Sequence, residues 1–140
     1  VRLESALTLE EIVLDCPASL LWPVDSMRFE QVLHNLLTNA ARYGHAEGQP
    51  IEVRLVVEGD WLVLTVRDHG VGVPEDQRER IFDRFYSADR GSYQTGLGLG
   101  LHVTRSIVEA HGGDIVVSDA PGGGAQFEVR LPEHLPTPEG

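Results

Sequence analysis

Phe29, Val32, Leu33, Leu36 and Ala40 recur at the spacing of one α-helix face, and they fix the first element of any fold open to this chain. At about 100° per residue they form a single apolar stripe that has to be buried against another element. Asp25 or Ser26 supplies the helix cap, and the helix is expected to run to about Tyr43. Asn35, Asn39 and Arg42 line up along one edge of the stripe, one turn apart. Two carboxamides and a guanidinium stacked this way offer oxygens to a hard cation and a fork to phosphates. The same three residues also suit an ordinary solvated helix rim, so the decision rests with the downstream part of the chain.

Around this helix the pattern changes to strands. Glu11–Cys16 and Leu20–Val24 read as short strands divided by Pro17. Ile51, Val53, Leu55 and Val57 alternate, Glu58-Gly59-Asp60 turns the chain, and Leu62, Leu64 and Val66 alternate again, which predicts a hairpin with one buried face. Pro74 to Arg80 reads as a short helical turn, and Ser87 to Thr95 as a polar, mobile loop without period. Helical spacing returns from Leu97 to Ala110 and stops at Gly112-Gly113. Ile115–Ser118 and Gln126–Leu131 form a last hairpin across Pro121-Gly-Gly-Gly124. Hairpins outnumber crossovers, so the expected fold class is α+β: a two-layer sandwich with a mostly antiparallel, mixed sheet and helices on one face.

Composition narrows the function. In 140 residues with 41% apolar content there is room for one domain and its core. The formal charge of −11 argues against a nucleic-acid binder, which would show a basic face. All 11 cations are arginines, and without a lysine there is neither a Walker A loop nor the strand lysine of eukaryotic-type protein kinases. Phosphates would therefore be held by backbone amides, arginines and a metal. The lone Cys16 excludes an internal disulfide and reads as a small hydrophobe. No apolar run reaches the roughly 18 residues of a membrane span.

Two glycine clusters carry the rest. Asp68 continues the parity of Leu62, Leu64 and Val66, so it is expected on the buried side of its strand, where a carboxylate needs donors. Gly70-Val-Gly72-Val-Pro74 comes directly after it and permits a tight turn and close approach to a ligand. Asp68 is then either an acceptor for an exocyclic amine such as that of adenine, or the satisfied end of a capped turn. Gly96-Leu-Gly98-Leu-Gly100 opens a helix, and exposed amides at a helix start suit an anion. Its spacing and the polar loop before it do not fit a dinucleotide-binding fingerprint.

In order, the chain has the asparagine helix, Asp68-x-Gly70-x-Gly72, Phe82-x-x-Phe85, and Gly96-x-Gly98-x-Gly100 before Ile107-Val-Glu-Ala-His-Gly-Gly113. This succession resembles the catalytic, ATP-binding domain of bacterial two-component sensor histidine kinases, within the superfamily that includes gyrase-type and heat-shock chaperone ATPases. The resemblance covers about residues 10 to 131 and implies the two-layer Bergerat fold, with ATP and magnesium as cofactors. It makes Asn39 the magnesium ligand, Asn35 a second polar contact near the ion or its waters, and Arg42 a phosphate contact. Tyr43 would flank the nucleotide, Asp68 would read the adenine amine, and Gly70 and Gly72 would shape the pocket floor. Phe82, Arg84 and Phe85 match the aromatic motif before a lid spanning Tyr86 to Thr95. Thr95, Gly96, Leu97, Gly98 and Leu99 would form the hinge against the phosphates. Phe82 and Phe85 also suit a plain packing role.

The resemblance further implies a partner. The phosphoacceptor of this family lies in a separate helical hairpin, typically in the string His-Glu/Asp-Leu-Arg-Thr-Pro. None of His34, His45, His69, His102, His111 and His134 sits in such a string. The chain thus resembles the catalytic half of a kinase, acting on a dimerisation and phosphoacceptor domain of its parent, with a response regulator downstream. It implies a cytoplasmic location, no membrane contact by this segment and no nucleic acid. On this reading residues 1–9 are the remnant of a linker, 10–131 the domain and 132–140 a disordered tail. In ATP-hydrolysing relatives a glutamate stands where Asn35 does, and an amide cannot serve as a general base. A serine-phosphorylating relative or a non-catalytic nucleotide-binding module are the remaining alternatives.

Overall fold

The computed structural model describes residues 12–15, 22–43, 49–84, 86–87, 92–93 and 99–133. In chain order these form β1 (Ile12–Asp15), α1 (Ser26–Tyr43), β2 (Ile51–Glu58), β3 (Trp61–Arg67), β4 (Tyr86–Ser87), β5 (Ser92–Tyr93), α2 (Leu99–Ala110), β6 (Asp114–Asp119) and β7 (Ala125–Pro132). Single 3-10 turns at Glu75–Gln77 and Arg80–Phe82 join β3 to β4. Five strands form one sheet in the order β1-β2-β3-β7-β6; β1 runs parallel to β2, and the other neighbours are antiparallel. This is the expected α+β sandwich with a mixed, mostly antiparallel sheet.

Strand alternation decides which face carries the helices. Val53 pairs with Val66, Leu64 with Val129 and Phe127 with Val117, so the apolar parity of each strand falls on the same side. The helices cover that side with Phe29, Val32, Leu33, Leu36, Leu37, Ala40, Ile107 and Val108, all buried. Leu36, Val108 and Val129 have no measurable exposure, and each such burial contributes about 1.5–3 kcal/mol. The β2–β3 hairpin turns in two residues, with Gly59 at φ 60, a conformation glycine adopts without a Cβ clash.

Both helices are closed by local chemistry. Asp25 Oδ1 accepts the Arg28 N–H at 3.1 Å, which makes Asp25 the cap of α1, an interaction worth about 1 kcal/mol. At the far end of α2, Gly112 adopts φ 80, the Gly113 N–H reaches Val108 O at 3.0 Å and the Gly112 N–H reaches Glu109 O at 2.9 Å. That pair of bonds is a Schellman stop, as the double glycine predicted. His111 ties the two ends together: its Nδ1–H donates to Ile107 O at 2.8 Å, and its Nε2 accepts the Asp25 N–H at 3.3 Å. A carbonyl can only accept, so the contact itself sets the tautomer.

Three expectations change. Trp22 to Val24 is no strand: the Val24 N–H folds back to Trp22 O at 2.8 Å, and Pro23 has no N–H to give a ladder. Within the segment read as a loop without elements, Tyr86–Ser87 pairs with Ser92–Tyr93 as a separate ribbon. Strands of two residues are too short to show alternation, so no periodic signal existed to find. Order also runs past Leu131, since Pro132 closes β7 and the Glu133 N–H donates to Asp60 O at 2.8 Å. Cys16, residues 1–9 and 134–140, and the start of the second helix at Leu97 lie outside the described residues.

Candidate functional site

Asp68 lies one residue beyond β3 with 4% exposure, on the buried side that its parity predicted. Its backbone N–H donates to Ala125 O at 2.9 Å, extending the β3–β7 ladder by one bond. Its Oδ1 accepts two backbone amides, Ala125 N–H at 2.9 Å and Gly70 N–H at 3.0 Å. The capped-turn reading of Asp68 is therefore met at Oδ1. One oxygen is the satisfied cap of a turn, and Oδ2 takes none of the hydrogen bonds found among the described residues. A carboxylate whose inner oxygen is pinned by two donors presents its outer oxygen in a fixed direction, as an acceptor.

The two glycine-rich turns meet over this carboxylate. A Cβ at Gly124, which has φ +91, would stand 2.2 Å from Asp68 O and 2.9 Å from Asp68 Oδ1. A Cβ at Gly72, φ +77, would meet Gly124 O at 3.3 Å. Arg78 clamps the same corner, with Nη2 at 2.9 Å from Asp119 Oδ1 and Nε donating to Val73 O at 3.2 Å. Behind it Glu52 Oε2 lies 3.5 Å from Arg67 Nε and 3.4 Å from His69 Nε2, and Arg67 Nη2 donates to Pro121 O.

Asn35 connects the asparagine helix to the start of α2. Its Nδ2 donates to Thr104 Oγ1 at 3.1 Å and to Gly100 O at 3.2 Å. Thr104 is wholly buried, and its own hydroxyl donates to Gly100 O at 2.7 Å. Asn39, one turn further along α1, is half-buried, and no hydrogen bond among the described residues holds its carboxamide. Asn35 and Asn39 thus share one edge of α1, as the spacing predicted, but only Asn35 is tied to α2.

Phe82 is 3% exposed and packs edge-on against Phe127, with ring centroids 6.2 Å apart at 85°. Arg105 lies over the same ring at 5.5 Å and is held by Glu109 at 2.8 Å and Glu79 at 3.4 Å. The packing role foreseen for Phe82 is met, while Arg84 is exposed. Arg42 and Tyr43 end α1, and Leu99 begins α2, with side chains outside the described residues. Phe85, Thr95, Gly96, Leu97 and Gly98 lie outside the described residues altogether.

Thr104, Gly124 and Ala125 were missed from sequence. A threonine among Leu101, Ile107 and Val108 on the apolar face of α2 was the available signal for the first. For the others it was register: with Arg67 opposite Gln126, Asp68 falls opposite Ala125. Among the described residues no group of three His, Cys, Asp or Glu side chains could hold a metal. A hard cation here would be held by one or two protein oxygens together with ligand phosphates, the usual arrangement for magnesium. No helix among the described residues is long and apolar enough to cross a membrane.

Comparison with known proteins agrees with this geometry. The profile of the family described as histidine kinase-, DNA gyrase B-, and HSP90-like ATPase matches residues 24–135. The sensor protein KdpD of Escherichia coli is 42% identical over 144 residues, covering 91% of this chain and 16% of that protein. The chain therefore spans about a sixth of that relative's length. The catalytic domain of histidine kinase ThkA superposes with a TM-score of 0.74 at 28% identity, covering 88% of this chain and 78% of that one. Full-length ShkA in complex with AMPPNP gives a TM-score of 0.72 at 30% identity, covering 90% of this chain and 26% of that one.

Proposed function

Because the chain belongs to the histidine kinase-, DNA gyrase B- and HSP90-like ATPase family, as a catalytic ATP-binding domain of the sensor histidine kinase kind, we propose that it binds Mg-ATP and passes the γ-phosphoryl group to a histidine on a dimerisation domain of its parent protein. A response regulator would receive the group afterwards. The observation that supports this reading is Asp68, whose Oδ1 is pinned by the Gly70 and Ala125 amides; its Oδ2 would accept from the adenine amine. Gly70 and Gly72 form the floor beside it. Asn39 would hold magnesium through its amide oxygen, and Asn35 would face the ion or its waters. Arg42 would reach the phosphates and Tyr43 would flank the nucleotide. Thr95, Gly96, Leu97, Gly98 and Leu99 would contact the phosphates as the lid hinge, next to Phe82, Arg84 and Phe85.

Magnesium, when bound, neutralises the charge on the phosphates. The chain's own part is to position: to orient the base through Asp68, hold the phosphates with amides and arginine, and keep a competing base away. Asn35 supports transfer over hydrolysis, since an amide cannot take a proton from water.

The test is a labelling assay. The chain with Mg-ATP and a purified dimerisation hairpin of the parent should place an acid-labile, base-stable phosphoryl group on the hairpin, and Asn39→Ala should abolish it. A label on serine alone, or rapid ATP turnover by the lone chain, would overturn the histidine-kinase reading.

A further inference from the structure

Asn35 cannot be oriented in two ways. Gly100 O is an acceptor only, so the end of the carboxamide facing it at 3.2 Å must be the NH2 group. Thr104 fixes the same choice a second time. Its hydroxyl hydrogen is committed to Gly100 O at 2.7 Å, which leaves an oxygen lone pair to accept from Asn35 Nδ2 at 3.1 Å. The NH2 end of Asn35 is thereby turned to α2. The amide oxygen is left facing away from it, on the side chain that shares an edge of α1 with Asn39.

We infer that Thr104 is a positioning residue for the nucleotide site: it holds the Asn35 carboxamide with its oxygen outward, ready for a cation or its waters. The inference rests on the Mg-ATP reading above. Thr104 has no exposure and never reaches a ligand itself, so its effect passes through Asn35. Satisfying a buried hydroxyl with two partners is costly to undo, since each lost partner leaves a buried polar atom unpaired. A valine would pack in nearly the same volume at this position, which makes the hydroxyl itself the unusual choice on an apolar helix face. Because Gly100 stands in the first turn of α2, the same contact also couples α1 to the last glycine of the glycine cluster.

Two measurements on the 140-residue chain test this with Thr104→Val and Thr104→Ser. The first reads the Asn35 side-chain amide signals by NMR without nucleotide; the second reads ATP affinity with magnesium and with EDTA. Thr104→Val should shift or broaden the Asn35 signals and lower the magnesium-dependent gain in affinity about tenfold, which is about 1.4 kcal/mol. Affinity in EDTA should change less than about twofold, about 0.4 kcal/mol. Thr104→Ser, which keeps the hydroxyl and removes only a methyl, should restore both the signals and the magnesium gain. The inference is overturned if Thr104→Val keeps the full magnesium gain, loses affinity equally in both conditions, or is not rescued by serine. A wild-type chain that gains nothing from magnesium would instead sink the Mg-ATP reading, and the NMR arm, run without nucleotide, tells the two failures apart.

Discussion

Asp68 and Ala125 are joined twice: the Asp68 N–H donates to Ala125 O at 2.9 Å, and the Ala125 N–H donates to Asp68 Oδ1 at 2.9 Å. The first bond is a ladder bond, and the second turns it into a clamp on the carboxylate. This clamp fixes the direction in which the carboxylate presents its second oxygen.

Asp68→Asn should therefore reverse the polarity offered to a base. With Oδ1 facing two amide donors, the new carboxamide keeps its oxygen inward and turns NH2 outward. The wild-type chain should prefer ATP over GTP by at least about tenfold, about 1.4 kcal/mol, because guanine presents an oxygen where adenine has its amine. The variant should lose that preference in nucleotide titrations. Equal affinities for the two nucleotides in the wild type would remove Asp68 from base selection.

Gly124→Ala should be costly for a steric reason. Its Cβ would stand 2.2 Å from Asp68 O, in a backbone at φ +91 that alanine rarely adopts. A loss of about 1–3 kcal/mol from the backbone alone is expected, with ATP affinity falling as Asp68 is displaced. Gly59→Ala is the control, since at φ +60 nothing lies within 4 Å of its Cβ, and only the left-handed backbone is penalised, by about 1–2 kcal/mol. Thermal unfolding of both variants separates them, and equal affinity losses would contradict the steric account.

These two cases mark what was legible beforehand. The helix stripe, the hairpin pairs and the side on which Asp68 lies all come from periods of 3.6 and 2, which depend on local sequence alone. That Pro121-Gly-Gly-Gly124 closes over Asp68 depends on the pairing of β3 with β7, strands separated by more than fifty residues of chain. Likewise Thr104 reads as one more position on an apolar face until α2 is seen packed against Asn35. Contacts between distant elements carry no period. The β4–β5 ribbon was hidden for another reason, its strands being only two residues long.

Asn39→Ala should weaken ATP binding far more with magnesium than with EDTA. Magnesium requires oxygen ligands, and the Asn39 carboxamide is a half-buried donor of that type on the same edge as Asn35. Titration calorimetry in both buffers reads the difference directly. Equal losses would assign Asn39 to packing or to the nucleotide, and not to the ion.

The β4–β5 ribbon should respond to nucleotide. Among the described residues its two strands pair through Tyr86 with Tyr93 and Ser87 with Ser92, and a two-stranded ribbon is marginal in water. Without nucleotide its amides should exchange with solvent faster than those of β3 and β7, and an ATP analogue should slow them. Exchange as slow as in the central strands, with or without the analogue, would rule out a lid at this ribbon.

Asn35→Asp makes the strongest demand on the contact between α1 and α2. The substitution is nearly isosteric, but an ionised carboxylate has no hydrogen to give and would face Gly100 O at the position of the present 3.2 Å contact. Thr104 could turn its hydroxyl to the new carboxylate only by leaving Gly100 O. One acceptor is left opposed in either case, at a cost of about 1 kcal/mol. A protonated carboxyl can donate, so the folded state favours the acid form and raises the carboxyl's folded pKa above the unfolded value of about 3.9. The variant's stability relative to wild type should accordingly be best below about pH 4, and the deficit should grow as pH rises through the raised folded value. Parallel denaturant titrations of the two proteins at several pH values check the slope. A deficit independent of pH, or one that shrinks as pH rises, would mean that Asn35 does not meet Gly100 through its amide hydrogens.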